Sequence, residues 1–165
     1  MHIIKLAIIS FVFFFLLITG ISLFIPSHIS ISKAIDIRTE KDSLMVQLSN
    51  AVNWKKWYPG ADTSDFFIAD GKILGILSGD LKGLIITETT DSSVSTANAG
   101  PNSKKGESGW NIFAGTAPDI FTVQWHMDFH FRWYPWEKFS GLLLEKRYGP
   151  VMEKGLSNLK ALLEK

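Results

Sequence analysis

The clearest hydrophobic pattern in the chain lies between Phe121 and Trp133, where apolar and polar residues alternate. Successive side chains of an extended chain point to opposite faces, so this segment has one aromatic-rich face and one polar face. The apolar face consists of Phe121, Val123, Trp125, Met127, Phe129, Phe131 and Trp133. The alternation predicts a long strand from Asp119 to Trp133 that needs an apolar partner.

A second apolar face follows at helical spacing. Its members are Phe139, Leu142, Leu143, Met152, Leu156, Leu159 and Leu163. Gly149 and Pro150 interrupt it, which predicts two helical pieces that are broken or bent at this point. Because both apolar faces would be insoluble if left exposed, we expect the strand and the terminal helix to pack face to face.

The segment before these elements predicts a strand, short helices and then several more strands. Isoleucines alternate along His28 to Ile37, a pattern interrupted by Lys33, and three- and four-residue spacings between Thr39 and Trp57 indicate one or two short helices that end at Tyr58. The further strands are Phe67 to Ala69, Lys72 to Ser78, Lys82 to Thr90, Val94 to Asn98 and Trp110 to Ala114, with turns at Asp70-Gly71 and Ser78-Gly79-Asp80 and a polar, mobile connection from Asn98 to Gly109. Without helical crossovers between them, these strands should form an antiparallel sheet.

The amino terminus carries a membrane segment. Leu6 to Ile25 is an uncharged run of 20 residues, enough for a helix to cross a hydrocarbon core of ~30 Å. A cleaved signal peptide is the alternative, with Gly20 to Ser22 as the cleavage site, although signal cores usually span only ~7–15 residues. We expect a retained anchor over residues 1–26 and a single domain over residues 27–165, outside the cytoplasm.

Composition narrows the classes of function. The chain has 165 residues, a formal charge of +1 and no cysteine, so thiol nucleophiles, thiolate metal sites and disulfides are excluded. No long basic patch favours nucleic acid as a partner. No sequence fingerprint of a nucleotide, flavin or nicotinamide site is present, so no cofactor is expected, and we expect a monomer.

Several stretches resemble the SRPBCC superfamily, which includes START lipid-transfer domains and bacterial polyketide cyclase or dehydrase-like proteins. They are Asn53 to Pro59, Gly83 to Thr87, Thr122 to Trp125 and especially Phe139 to Lys160. The chain is similar in particular to membrane-anchored bacterial members. The resemblance implies an α+β helix-grip fold, in which a curved antiparallel sheet wraps around a long C-terminal helix and two short helices follow the first strand.

The resemblance also implies an apolar cavity between the sheet and the final helix. Its expected lining is Trp54, Trp57, Tyr58, Val123, Trp125, Met127, Phe129, Met152, Gly155, Leu156 and Leu159. Two alternatives remain open at this stage. The rings either brace the sheet and the helix apart, with Gly155 leaving space, or they fill a packed core.

The residues near Trp54 allow three interpretations. Trp54, Trp57 and Tyr58 form an aromatic rim around a ligand, contact the membrane interface, or fix the helices against the sheet. Lys55 and Lys56 either meet anionic lipid headgroups or belong to a solvated helix face.

Polar residues offer weaker candidates for chemistry. His126, Asp128 and His130 share one strand face, but the two histidines stand ~13 Å apart, too far for one metal ion without strong tilting. The alternative is a solvent-facing surface with histidines paired across strands. Glu88 is the one acid in an otherwise apolar strand, and it is a candidate general base only if it points inward.

Three functional hypotheses follow. The first is a membrane-tethered domain that binds a hydrophobic, lipid- or isoprenoid-like molecule without covalent chemistry. The second is an enzyme of the polyketide cyclase or dehydratase type. The third is a ligand-free module that binds other proteins. The lack of a converging catalytic set favours the first.

Overall fold

A computed structural model describes residues 2–78, 82–99 and 106–165 of the chain. The helices are α1 (His2–Ser22), α2 (Lys41–Ser49), α3 (Ala51–Trp54), α4 (Pro135–Gly141) and α5 (Leu144–Leu163), and the strands are β1 (His28–Arg38), β2 (Asp65–Ala69), β3 (Lys72–Ser78), β4 (Lys82–Thr89), β5 (Ser93–Ala99), β6 (Gly106–Ala114) and β7 (Ile120–His130). The order of strand, short helices, strands and final helix agrees with the order that the sequence predicts.

The seven strands form one antiparallel sheet in the order β1-β7-β6-β5-β4-β3-β2. The antiparallel prediction is therefore confirmed. The register defines two ends of the sheet. The proximal end contains the start of β1, where α1 leads into the sheet, and pairs His28 with His130, Phe129 with Gly106, and Asn98 with Leu84. The distal end contains Arg38, Ala114 and Ser93, which lie at the other ends of their strands.

The final helix packs on the apolar face of the sheet, as the two apolar patterns predict. Val123, Trp125 and Met127 of β7 are buried in the same core as Met152, Leu156 and Leu159 of α5. The alternate positions Gln124, His126 and Asp128 are only half-buried. Burial of this stripe stabilises the fold by roughly 1.5–3 kcal/mol for each large apolar side chain.

Polar contacts fix α5 along β1. Lys33, the residue that interrupts the apolar pattern of β1, forms ion pairs through Nζ with Glu145 at 2.7 Å and Glu153 at 3.0 Å. Further along the helix, Lys160 Nζ donates to the backbone oxygen of Asp36 at 2.8 Å. Lys33, which breaks the apolar pattern of β1, therefore connects this strand to α5.

The carboxyl-terminal third differs from the prediction at two points. The strand ends at His130 rather than Trp133, and Trp133 is 60% exposed. The break between helical pieces falls at Leu142 and Leu143, while α5 runs on through Gly149 and Pro150. A proline removes only one helical hydrogen bond, and burial of the following turns on the sheet retains the helix. Phe139, Leu142 and Leu143 are exposed and do not join the core stripe.

Two other boundaries also shift. Helix α1 begins at His2 and ends at Ser22, so Leu23 to Ile25 lie in a turn rather than in the expected helix. Asn98, Ala99 and residues 106–109, expected in a mobile connection, belong to β5 and β6. Residues 100–105 of that connection, and residues 79 and 80 of the expected turn, lie outside the described residues.

Candidate functional site

An aromatic cluster fills the space between the sheet and the helices. It consists of Trp54, Trp57, Tyr58, Trp110 and Trp125. Ring centroids lie 5.4 Å apart for Trp54 and Trp110, 5.5 Å for Trp110 and Trp125, and 5.2 Å for Tyr58 and Trp125. The four tryptophans are at most 1% exposed. Such tilted and edge-to-face pairs contribute about 0.5–1.5 kcal/mol each beyond their burial.

Three of the four tryptophan N–H groups in this cluster have hydrogen-bond acceptors. Trp54 Nε1 donates to Leu48 O at 2.8 Å, and Trp57 Nε1 donates to the backbone oxygen of Gln47 at 3.4 Å. Trp125 Nε1 donates to the Ser108 hydroxyl at 2.9 Å. Trp110 Nε1 is buried without a hydrogen-bond partner among the described residues. The cluster therefore contains one unsatisfied donor.

Gly155 does not leave open space beneath α5. A Cβ placed there would lie 2.7 Å from Trp125 Cζ3 and 3.0 Å from Pro59 Cδ. Side-chain carbons do not approach that closely, so the glycine permits direct contact between the helix backbone and the Trp125 ring. This contact contradicts the expectation that Gly155 widens a cavity.

Most of the residues expected to line a cavity instead pack the core. Trp54, Trp57, Val123, Trp125, Met127, Met152, Gly155, Leu156 and Leu159 are buried, and Tyr58 and Phe129 are half-buried against them. Because Trp54 and Trp57 are buried, they neither form a rim nor meet a membrane. Lys55 Nζ lies 4.4 Å from the ring centre of Phe66, a cation–π contact.

An open cleft lies beside the aromatic cluster, with a volume of about 310 Å³. Its walls are Tyr58, Pro59, Gly60, Ser64, Ile76, Gly83, Leu84, Asn98 and Tyr148. Tyr58 is the one member of the expected ligand-binding set among them. The turn at Tyr58 depends on Gly60, whose φ of 83° is a left-handed conformation that favours glycine. Leu84 and Asn98 are directly paired, so the cleft lies toward the proximal end of the sheet.

The polar side chains of the cleft wall are Ser64, Asn98 and the phenols of Tyr58 and Tyr148. Burial raises the pKa of Tyr58 to about 12, and the nearby Tyr148 adds to the rise. Removal of the phenol from water disfavours the phenolate, so Tyr58 is protonated at neutral pH. A protonated phenol donates a hydrogen bond but does not serve as a general base. No carboxylate or imidazole lines the cleft among the described residues.

A larger groove of about 570 Å³ lies at the distal end of the sheet. Its walls are mostly charged and include Asp36, Arg38, Lys160 and Glu164. These groups already bond one another across α5 and β1: Arg38 N donates to Glu164, and Lys160 lies 3.6 Å from the same carboxylate. Only Ile120 and Leu163 supply apolar wall among five charged residues, so the groove suits a hydrophobic ligand less well than the cleft does.

The polar candidates lie on the surface away from the cleft. Glu88 is exposed and does not reach the interior. His28 Nε2 lies 3.4 Å from Asp128 and the His28 ring stacks on His130 at 4.6 Å, while His126 Nε2 lies 3.9 Å from Asp128. Within residues 2–78, 82–99 and 106–165, no group of three histidine, aspartate or glutamate side chains is placed to hold a metal ion.

Comparison with known proteins identifies the architecture. A START superfamily protein from Mycobacterium smegmatis matches 82% of this chain over 97% of its own, with 14% identity and a TM-score of 0.60. The di-domain aromatase/cyclase StfQ of the steffimycin pathway matches 83% of this chain over 51% of its own, with 9% identity and a TM-score of 0.61. The chain has the helix-grip fold. A norcoclaurine synthase from Thalictrum shares it, with 11% identity and a TM-score of 0.58 over 82% of this chain and 94% of its own.

No protein-family model and no curated protein sequence matches this chain. At identities of 9–14%, the solved structures establish the helix-grip fold, and the fold alone does not determine the ligand. The fold that the resemblance implies is therefore confirmed. The chemistry of the site has to be inferred from the residues of this chain.

The sequence patterns miss most of the cleft. Ile76, Leu84 and Tyr148 belong to three separate elements, and the turn at Pro59 and Gly60 completes the wall. The available signal was the Gly83 to Thr87 stretch, which the resemblance singles out and which contains Leu84. Tyr148 was a second available signal, because its ring contacts the half-buried ring of Phe129 on the face of α5 that meets the sheet.

Proposed function

We propose that this protein is a membrane-tethered helix-grip domain that binds a hydrophobic small molecule in the cleft bordered by Tyr58 and Tyr148. The observation that carries the proposal is the position of an apolar-walled cleft directly beside a rigid aromatic cluster. Ile76 and Leu84 supply apolar surface, while the two phenols supply hydrogen-bond donors. This combination of apolar walls and a few polar groups is typical of small-molecule sites.

The packed interior limits the size of the ligand. Ligand sites usually measure roughly 300–1,000 Å³, and this cleft of about 310 Å³ lies at the lower end of that range. A compact isoprenoid or the end of an acyl chain fits this space, whereas a complete two-chain lipid does not. We infer an amphipathic ligand whose hydroxyl or carbonyl group accepts a hydrogen bond from Tyr58 or Tyr148.

The residues of the cleft favour binding over catalysis. A cyclase or dehydratase reaction requires a proton acceptor or donor matched to neutral pH. The titratable side chains described in the cleft wall are the two tyrosines, and the pKa of Tyr58 is raised to about 12. We therefore expect the two tyrosines to bind the ligand by hydrogen bonds and to take no part in covalent chemistry.

The amino-terminal helix α1, which we propose as the membrane tether, supports the proposed class of ligand. One helix, Ile3–Ser22, is long and apolar enough to span a membrane, and it is exposed from Ile3 to Ile18. It joins the sheet at the proximal end, toward which the cleft lies. We place the domain outside the cytoplasm, close to a bilayer that contains apolar ligands.

Native mass spectrometry tests the binding proposal. The full chain, extracted from membranes in a mild detergent, should retain an apolar small molecule, and farnesol should change its tryptophan emission. Replacement of both Tyr58 and Tyr148 by Phe removes the two donors and should weaken farnesol binding about fivefold, because the one hydrogen bond to the ligand hydroxyl contributes about 1 kcal/mol. Tyr134→Phe is the matched control, since Tyr134 lies outside the cleft.

Either of two results contradicts the proposal. One is an empty protein whose emission does not respond to farnesol, decanol or a fatty acid, which favours the interaction-module hypothesis instead. The other is ligand binding that decreases equally in the Tyr134→Phe control and in the double variant, which places the ligand elsewhere.

A further inference from the structure

An exposed apolar surface surrounds α4, in the part of the chain where the sequence predicts a core stripe. We call it the α4 surface and define it by Trp133, Trp136, Phe139, Leu142 and Leu143. Four of these side chains are 60–63% exposed, and Phe139 is 36% exposed. Other exposed large apolar residues of the described sheet and of α2 and α3, such as Val46, Ile68 and Phe113, are separated from one another in the sequence. A cluster of this size marks an interaction site rather than ordinary surface.

The fold places the α4 surface beside the end of α1. Strand β7 ends at His130, which is paired with His28, six residues after α1. Phe131 N then donates to Ser27 O at 2.7 Å. Lys138 Nζ donates to Ile25 O at 2.9 Å, and Lys138 is only 5% exposed. The buried Lys138 side chain therefore connects α4 to the turn at the end of the membrane segment.

The inner side of α4 is closely packed, so the helix has a fixed orientation. A Cβ at Gly141 would lie 2.8 Å from Ile29 Cδ1 and 3.0 Å from Phe131 Cε2. Pro135, Lys138 and Gly141 are the buried residues of this helix. Packing of this side on β1 directs Trp136 and Leu142 outward.

Exposed apolar side chains also occupy the turn that follows α1. Leu23 and Phe24 are 68% and 91% exposed directly after the helix. At the start of α4, the ring of Tyr134 stacks on Trp136 at 4.9 Å and lies 4.8 Å from Trp133. Tryptophan and tyrosine are enriched where a membrane protein crosses the headgroup region, because their rings are apolar and their N–H or O–H groups are polar.

Two cationic side chains, Lys146 and Arg147, come shortly after Leu143 in the sequence. A depression of about 430 Å³ is lined by Ser140, Leu143, Leu144, Lys146 and Arg147. Two leucines and two cations in one depression provide contacts for both an acyl chain and an anionic headgroup. A bilayer therefore matches the surface better than an apolar protein partner.

We propose that the α4 surface inserts into the headgroup region of the bilayer that α1 spans, as a second membrane contact. This inference rests on the proposed tether. Two contacts, linked through Lys138 and Ser27, hold the sheet in one orientation relative to the membrane. The cleft, which lies toward the proximal end of the sheet, is then held near the lipid surface.

Spin-label accessibility tests this proposal, and the absence of cysteine makes each introduced label unique. The full chain is reconstituted in vesicles of phosphatidylcholine and phosphatidylglycerol at a ratio of about three to one. A nitroxide at Phe14→Cys reports on α1, one at Leu142→Cys on the α4 surface, and one at Ser92→Cys on the distal end. We expect the label at position 142 to be accessible to oxygen and protected from a water-soluble nickel chelate, at a shallower depth than the label at position 14.

The outcomes separate the two proposals. If the label at position 14 is buried in lipid while the label at position 142 is as accessible to nickel as the label at position 92, the α4 contact is overturned and the tether stands. If the label at position 14 is itself in water, the tether is overturned and the α4 contact with it.

Quenching by brominated lipid gives an independent measurement. Trp133 and Trp136 are exposed, whereas the other four tryptophans lie in the buried cluster. Dibromo-phosphatidylcholine should quench the emission of the reconstituted full chain, and the double variant Trp133→Phe with Trp136→Phe should lose at least about half of that quenching. Trp57→Phe is the matched control. Equal quenching in the double variant and in the full chain would overturn the proposal.

Discussion

At the scale of single residues, Trp110 and Trp125 form a natural comparison. Both are fully buried in the aromatic cluster, but Trp125 Nε1 donates to Ser108 and Trp110 Nε1 has no partner within the described residues. Replacement of either by Phe costs the volume of one ring, and only Trp125→Phe also breaks a hydrogen bond. An unmade bond to a buried group costs about 1–3 kcal/mol.

We therefore predict that Trp125→Phe destabilises the protein by about 1–2 kcal/mol more than Trp110→Phe. Urea unfolding of the full chain in detergent, followed by circular dichroism, measures the difference. A greater loss for Trp110→Phe would mean that its N–H has an acceptor in solution.

At the scale of elements, the contact of α5 with the sheet depends on the two helical glycines in different ways. A Cβ at Gly155 would meet the rigid ring of Trp125 at 2.7 Å. At Gly149 it would meet only Glu145 Oε1 at 3.2 Å and Lys33 Cε at 3.5 Å, which belong to long side chains able to move. The same substitution should therefore cost more at Gly155 than at Gly149.

Gly155→Ala should destabilise the fold by about 1–3 kcal/mol, because overpacking against Trp125 outweighs the gain in helix propensity. Gly149→Ala should change the stability by less than about 1 kcal/mol, because the gain in helix propensity is offset by the contact of the new Cβ with the ring of Pro150, which disfavours a helical residue before proline. Thermal unfolding of the two variants in parallel checks both values. Equal effects would show that α5 does not rest on the Trp125 ring.

At the scale of the whole molecule, stability should decrease at alkaline pH. Burial raises the pKa of Tyr58 to about 12, and the hydrogen bonds that Lys33 donates to Glu145 and Glu153 raise its pKa above the ordinary value of 10.5. In the unfolded chain Tyr58 loses its proton near pH 10, before the folded chain does. The stability from both groups is therefore complete below about pH 10 and is lost as the pH rises through the folded values.

We predict that Tyr58→Phe flattens the decrease in unfolding free energy between about pH 10 and 12, where Tyr58 accounts for at most about 2–3 kcal/mol. Lys33→Met should flatten the upper part of the same curve. Tyr134→Phe, which retains Tyr58, is the control. A Tyr58→Phe curve with an unchanged slope would indicate that the phenol is solvated.

Much of this architecture was predictable from local patterns. The alternation around Trp125 and the helical stripe through Met152 and Leu156 each place apolar groups on one side of an element, and burial of both requires that they meet. The patterns failed at Trp133, Leu142 and Leu143. Hydrophobicity marked these residues for the core, and no local signal distinguishes a side chain that packs on a sheet from one that faces outward beside α1.

Local periodicity was enough to predict an antiparallel sheet and a final helix around one apolar interior, behind an amino-terminal apolar helix, because periodicity is a local property of the chain. How that interior is filled, and where the cleft remains, follow only from packing in three dimensions. Trp54, Trp110 and Trp125 come from three different elements, α3, β6 and β7. The free volume beside them depends on how their rings pack together in space. The position of α4 beside the end of α1 likewise depends on the pairing of β1 with β7, which joins residues about a hundred positions apart.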